Sequence, residues 1–146
     1  MVKQEKSAGA VIYYLDSEPK FLLLKYPTYW GFAKGWLEQE ESEKEAAIRE
    51  IEEETGLKVE IIPGFSYHQK WFFKLKNELI NKEATFFLAK ISKEEAEKVK
   101  ISEEHEDFKF LSYKDALKIS KIKANKEMLK AAYDFIQEYE KQKRLP

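Results

Sequence analysis

Residues 49–54 read Arg-Glu-Ile-Glu-Glu-Glu, and Gly56 follows two residues later. Like charges three or four apart on a helix repel, by about 0.2–0.5 kcal/mol per pair. At about 100° per residue, Glu50, Glu53 and Glu54 fall within an arc of about 100°, while Glu52 points elsewhere, toward solvent. Three converging carboxylates without a matching lysine ladder are unfavourable at neutral pH, and a divalent cation removes the conflict. Hard ions such as Mg²⁺ take oxygen ligands, retain waters and bind substrate phosphates too. Arg49 adds to this: among 26 basic residues only Arg49 and Arg144 are arginines. An arginine against a lysine background suits a need for a planar, bidentate fork that fixes carboxylate orientation. A glutamate run alone is usually a solvated helix face, so the surrounding residues must decide.

The elements that would position these groups are legible in outline. Ser42 and Glu45 form a capping box and Gly56 is a good stop, which predicts a helix over 42–55. Ile48, Ile51 and Thr55 share its expected core face. The apolar runs 8–15 and 20–26, with Asp-Ser-Glu-Pro between them, predict a hairpin. Further strands are expected at 58–65, 67–73, 83–91 and 106–112, with 74–82 a polar connection. Residues 92–100 read as a short helical or irregular insertion. Ser112 and Asp115 predict a second capping box. Met128, Leu129, Ala132, Phe135, Ile136 and Tyr139 form the apolar stripe of a closing helix. Strands in clusters with helices between and after them predict a mixed sheet covered by helices, an α/β or α+β sandwich.

The 146 residues match one ordinary domain, read as 1–146, with neither repeat nor linker. A formal net charge of −1 gives no global field toward nucleic acid or membrane, so an anionic substrate needs local chemistry. DNA and membranes are therefore not expected partners. There are no cysteines, which excludes disulfides and thiolate metal sites. The N-terminal stretch lacks a signal-peptide cleavage pattern, and a cytoplasmic protein is expected.

From Gly35 the chain reads GWLEQEESEKEAAIREIEEETGL. This fits the pattern G-x5-E-x7-R-E-U-x-E-E-x-G-U, with U aliphatic, at Gly35, Glu41, Arg49, Glu50, Ile51, Glu53, Glu54, Gly56 and Leu57. On these residues the chain resembles the Nudix hydrolases. The resemblance implies a mixed β-sheet sandwiched between α-helices, and metal-dependent hydrolysis of a nucleoside diphosphate linked to another group. It implies Mg²⁺, with Mn²⁺ as an alternative, held by Glu50, Glu53 and Glu54. Arg49 and Glu41 would support them, and Gly35 and Gly56 would serve backbone geometry. Which carboxylate acts as base varies in the family and stays open.

The flanks are similar to the asymmetric diadenosine tetraphosphate hydrolases. Trp30, Lys34 and Gly35 fit that subfamily's entry to the box. Phe32 and Ala33 replace its usual prolines, and Gln39-Glu40 its usual Pro-Gly. Downstream, Asn-Lys-Glu-Ala-Thr-Phe-Phe-Leu-Ala resembles a subfamily strand, implying a phosphate contact for Lys82 and base stacking for Phe86. Residues 101–117 match best, with Ser102, Glu104, His105, Phe108 and Phe110 in register. Glu104 would be an added metal ligand or the base, and Lys34 and His105 would face substrate. The bland readings are a core Phe86, a solvated Lys82 and a His105 that organises its loop. The expected reaction is cleavage of diadenosine tetraphosphate, a small nucleotide, to ATP and AMP. A 5′-triphosphorylated RNA end is the alternative substrate, and a non-catalytic nucleotide-binding module a third reading. The oligomeric state is open.

Overall fold

The computed structural model describes residues 2–144. Its elements are β1 (Val2–Asp16), β2 (Glu18–Lys25), β3 (Trp30–Gly31), β4 (Ala33–Trp36), α1 (Glu43–Thr55), β5 (Tyr67–Leu75), β6 (Glu78–Lys90), α2 (Lys93–Ala96), β7 (Phe108–Ser112), α3 (Tyr113–Ile119) and α4 (Lys123–Lys143). All strands join one sheet with the path β3-β2-β1-β6-β5; β4 pairs with β1, and β7 with β2. Only β1 and β6 run parallel, so the sheet is mixed as expected.

The apolar runs of the central strands follow from burial on both faces. Ala8, Ala10, Ile12, Leu22, Leu24, Phe87 and Ala89 face one way and pack with Ala46, Ala47 and Ile51 of α1. Val11, Tyr13, Phe21, Leu23, Phe86 and Leu88 face the other way, against Ala116 of α3 and Met128, Leu129, Ala132 and Ile136 of α4. Two helical layers therefore enclose the sheet. Among the described residues no helix is long and apolar enough to cross a membrane.

The expected hairpin forms, and the expected connection 74–82 proves to be strand except at residues 76–77, which make a second tight turn. Ser17 alone joins β1 to β2 at φ 58°, and Lys76-Asn77 joins β5 to β6 with φ 51° and 66°. Two successive positive φ values match the twist of a two-residue hairpin, and asparagine tolerates them well. Residues 58–65 do not form the expected strand. They make one bridge, Ile61 to Ala89, because Pro63 lacks an N–H and Gly64 turns at φ 98°.

The α1 cap is complete. Ser42 Oγ accepts from the Glu45 amide at 3.1 Å, and Glu45 Oε1 accepts from the Ser42 amide at 2.9 Å. At the other end Gly56, at φ 77°, donates its N–H to the Glu52 carbonyl. The core face differs from expectation. Ile51 and Thr55 are fully buried, but Ile48 is 36% exposed; Ala46 and Ala47 take its place. Small side chains there let the helix approach β1 and β4 closely, and Ile48 is left at the margin of the stripe. Before α3 only half the expected box forms, Ser112 Oγ accepting from the Asp115 amide at 3.2 Å.

Candidate active site

Glu54 ends the inner face of α1, and it is 3% exposed. Its Oε2 accepts from the backbone N–H of Lys34 on β4 at 3.0 Å, and its Oε1 lies 2.7 Å from His105 Nε2. Burial, then repulsion from Glu50, pushes its carboxyl up to about 8. Among the described residues His105 is its one ion-pair partner, and burial pushes that imidazole down, toward the neutral form. A neutral ring protonated at Nε2 donates to Glu54 without cancelling its charge. Donor atoms of Glu54, Glu104 and His105 all lie within 4.8 Å of one another. Glu50 and Glu104 line one cavity of about 370 Å³ together with Lys34, Lys82 and Trp36. Glu54 and Glu104, with Glu50 beside them, form an oxygen donor set that suits a hard divalent cation, and that charge would satisfy Glu54.

Two expectations change here. Glu53 was grouped with Glu50 and Glu54, yet its side chain is 57% exposed and lies against Arg49 at 3.2 Å. The same guanidinium holds Glu50 more closely, at 2.8 Å, so it is exposure and not the arginine that sets Glu53 apart. His105 was expected to face substrate. It is buried instead, edge-on to Tyr26 at 4.7 Å between ring centroids, because its place is behind Glu54.

Arg49 forks as its chemistry suggests. Nε and Nη2 donate to Glu41 at 2.7 and 2.9 Å, and Nη1 donates to Glu50 at 2.8 Å. Nη2 also reaches the Trp36 carbonyl at 2.9 Å. The hydrogen bonds from Arg49 pull the Glu41 carboxyl down to about 2, whereas burial raises that of Glu50. One guanidinium thus ties α1 to the loop before it and to the end of β4. Gly35 has a different purpose from the expected backbone freedom. Its φ is not positive, but a Cβ there would overlap the Glu50 carboxylate. A Gly35→Ala variant should therefore fold, displace Glu50 and lose about 10- to 100-fold in kcat/KM, the usual effect of disturbing a ligand's support. Circular dichroism alongside kinetics would check this; activity near that of the parent protein would mean that Glu50 need not sit there.

A second cavity of about 590 Å³ shares Lys34 and Lys82 with the first and is lined also by Tyr29, Tyr67 and Trp71 among others. Alternation along β5 sends Tyr67, Gln69 and Trp71 to one face. The Trp71 ring lies under both lysines, 5.4 Å from Lys34 Nζ and 5.9 Å from Lys82 Nζ. Burial, together with neighbouring Lys82, lowers the Lys34 ammonium. Tyr29 stacks on Tyr26 at 4.8 Å. Gln69 Nε2 donates to Asn125 Oδ1 at 3.0 Å at the α4 end of this cleft. Phe86, opposite Tyr67 on the neighbouring strand, lines this cleft with only 2% of its surface exposed and packs edge-on to Phe32. Tyr29, Gln69 and Asn125 escaped the sequence reading, since nothing local marks them. Tyr67 and Trp71 lie in the strand expected at 67–73, but their spacing did not separate site from core.

A NUDIX domain family model matches residues 4–132. The chain is 34% identical over 120 residues to the asymmetrical bis(5′-nucleosyl)-tetraphosphatase of Caenorhabditis elegans, covering 79% of this chain and 84% of that one. It is 34% identical over 96 residues to an RNA pyrophosphohydrolase of Nitratiruptor, covering 61% of this chain and 62% of that one. Among solved structures, a C. elegans Ap4A hydrolase binary complex superposes with a TM-score of 0.77 at 30% identity, covering 91% of this chain and 98% of the other.

Proposed function

The chain belongs to the Nudix hydrolase family, as a pyrophosphohydrolase, and from that premise we propose that it hydrolyses a dinucleoside polyphosphate, diadenosine tetraphosphate being cut to ATP and AMP. One observation carries the reading: the aromatic cleft and the carboxylate cavity share Lys34 and Lys82. A base held by Tyr29, Tyr67 and Trp71 would lead its phosphates past two ammonium groups to the carboxylates. The reading treats residues 1–146 as one catalytic domain acting in the cytoplasm.

In this reading Glu50, Glu54 and Glu104 hold Mg²⁺, or Mn²⁺ in its place, with His105 positioning Glu54. The bound ion supplies neutralisation of phosphate charge and a water of lowered pKa. A water oxygen bonds to phosphorus, the bridging P–O bond breaks, and the water's proton passes to one of these three carboxylates. Lys34 and Lys82 hold the departing polyphosphate chain. Arg49, through Glu41 and Glu50, keeps the carboxylates in place. Glu53 stands at the solvent edge as an outer carboxylate.

Likeness to an RNA pyrophosphohydrolase supports a second substrate, a 5′-triphosphorylated RNA end. The formal charge of −1 leaves no basic track for the rest of such a molecule. The deciding assay compares kcat/KM on the two substrates with Mg²⁺ and with a chelator, the products being separated by chromatography. ATP plus AMP at clearly higher efficiency, abolished by chelation, is the expected result. Faster release of phosphate or pyrophosphate from RNA would overturn the assignment.

A further inference from the structure

Trp36 ends β4 with 61% of its surface exposed. A tryptophan left so open on a water-facing surface calls for a partner. Among the described residues no aromatic ring stacks on it and no ammonium covers it. Its backbone, by contrast, is held firmly. The Trp36 carbonyl accepts from Arg49 Nη2 at 2.9 Å, and the next amide, of Leu37, donates to the Lys6 carbonyl at 3.1 Å. Trp36 lines the carboxylate cavity together with Glu50 and Glu104. Strand alternation puts it on the same face as Lys34, about 7 Å further along β4. The carboxylate cavity shares Lys34 and Lys82 with the aromatic cleft, so the two lysines link the rings of the cleft to the cavity that Trp36 lines.

We propose that Trp36 is a stacking platform for the second nucleobase of a dinucleoside polyphosphate. The inference rests on the substrate reading above and adds a subsite to it: one base enters the Tyr67–Trp71 cleft, the phosphates cross Lys34 and Lys82, and the far base lies on the indole of Trp36. Every base has a π face, so this subsite accepts purines without reading their edges. Its contribution is to favour a substrate with two nucleosides over one with a single nucleoside and the same number of phosphates.

The test is calorimetric binding of two non-hydrolysable, methylene-bridged ligands with Mg²⁺: a diadenosine tetraphosphate and an adenosine 5′-tetraphosphate. The wild type should favour the dinucleotide by about tenfold, in line with the stacking of one base. Trp36→Ala should erase most of that preference, and Trp36→Phe should keep much of it. Equal binding of both ligands by the wild type would overturn the subsite while leaving the substrate reading intact. So would a preference that persists undiminished in Trp36→Ala. If neither ligand binds the wild type, the substrate reading itself fails and the subsite falls with it.

Discussion

Glu54→Gln should lower kcat by about 10³-fold, within the range that loss of a carboxylate acting on a water proton produces, and still leave a protein at least as stable as the parent. The two outcomes come from one fact, a carboxylate buried beside another carboxylate. Its folded-state pKa, raised to about 8, lies above that of the unfolded chain. The metal-free fold therefore bears no penalty from Glu54 below the unfolded pKa. A penalty grows as pH rises from there to about 8 and is complete above it. Glutamine is isosteric, can still accept from the Lys34 amide, and carries no charge at any pH. In a chelator, thermal melts at pH 6 and pH 9 should show the wild type losing stability relative to the variant as pH rises. Taking that difference separates Glu54 from Lys34, whose lowered pKa acts in the opposite direction with pH. A variant that keeps activity within tenfold of wild type would remove Glu54 from the chemistry.

Arg49→Lys is expected to lose about 10- to 100-fold in kcat/KM, the range typical for residues that orient metal ligands, and to melt lower. Lysine keeps the charge but replaces a rigid fork with a single flexible point. It cannot at once hold both oxygens of Glu41, Glu50 and the Trp36 carbonyl. Glu41, at about 2, is held low by those bonds, so its pKa should rise in the variant. Titration of the Glu41 carboxyl by NMR reads this directly. Wild-type kinetics together with an unmoved Glu41 would show that charge alone suffices at position 49.

What the sequence disclosed tracks the range of each interaction. The α1 cap, the Gly56 stop and the Arg49 fork onto neighbouring glutamates are local, and side chains three to eight residues apart announce them. The two-faced core of β1, β2 and β6 was legible because continuous apolar runs are what a sheet covered on both sides requires. The bond from His105 to Glu54 spans 51 residues, and that between Gln69 and Asn125 spans 56; no spacing rule brings such pairs together. Phe86 looked like a site residue on motif grounds; strand parity does set it beside Tyr67 in the cleft, but its packing against Phe32 leaves it 2% exposed. Ile48 looked buried by hydrophobicity alone, whereas the alanines beside it decide how closely the helix sits. Gly35 was marked correctly for the wrong reason, since room for a side chain 15 positions away leaves no trace in a backbone pattern.

The pairing of β1 with β6 has a consequence for how the molecule comes into being. Their register runs from Val2 opposite Leu79 to Tyr13 opposite Lys90, so each pair closes a separation of 77 residues. Such contacts cannot form locally, and the entropy of closing so long a loop must be met before the strand ladder returns anything. During synthesis the first strand emerges with its hairpin partner β2 but waits, with one edge bare, until more than half the chain has followed. The carboxylate helix α1 lies inside that waiting segment. Its layer of core stays incomplete until Phe87, Ala89, Ile91, Ala96 and Val99 arrive, so the carboxylates of α1 are among the later parts of the fold to find their places.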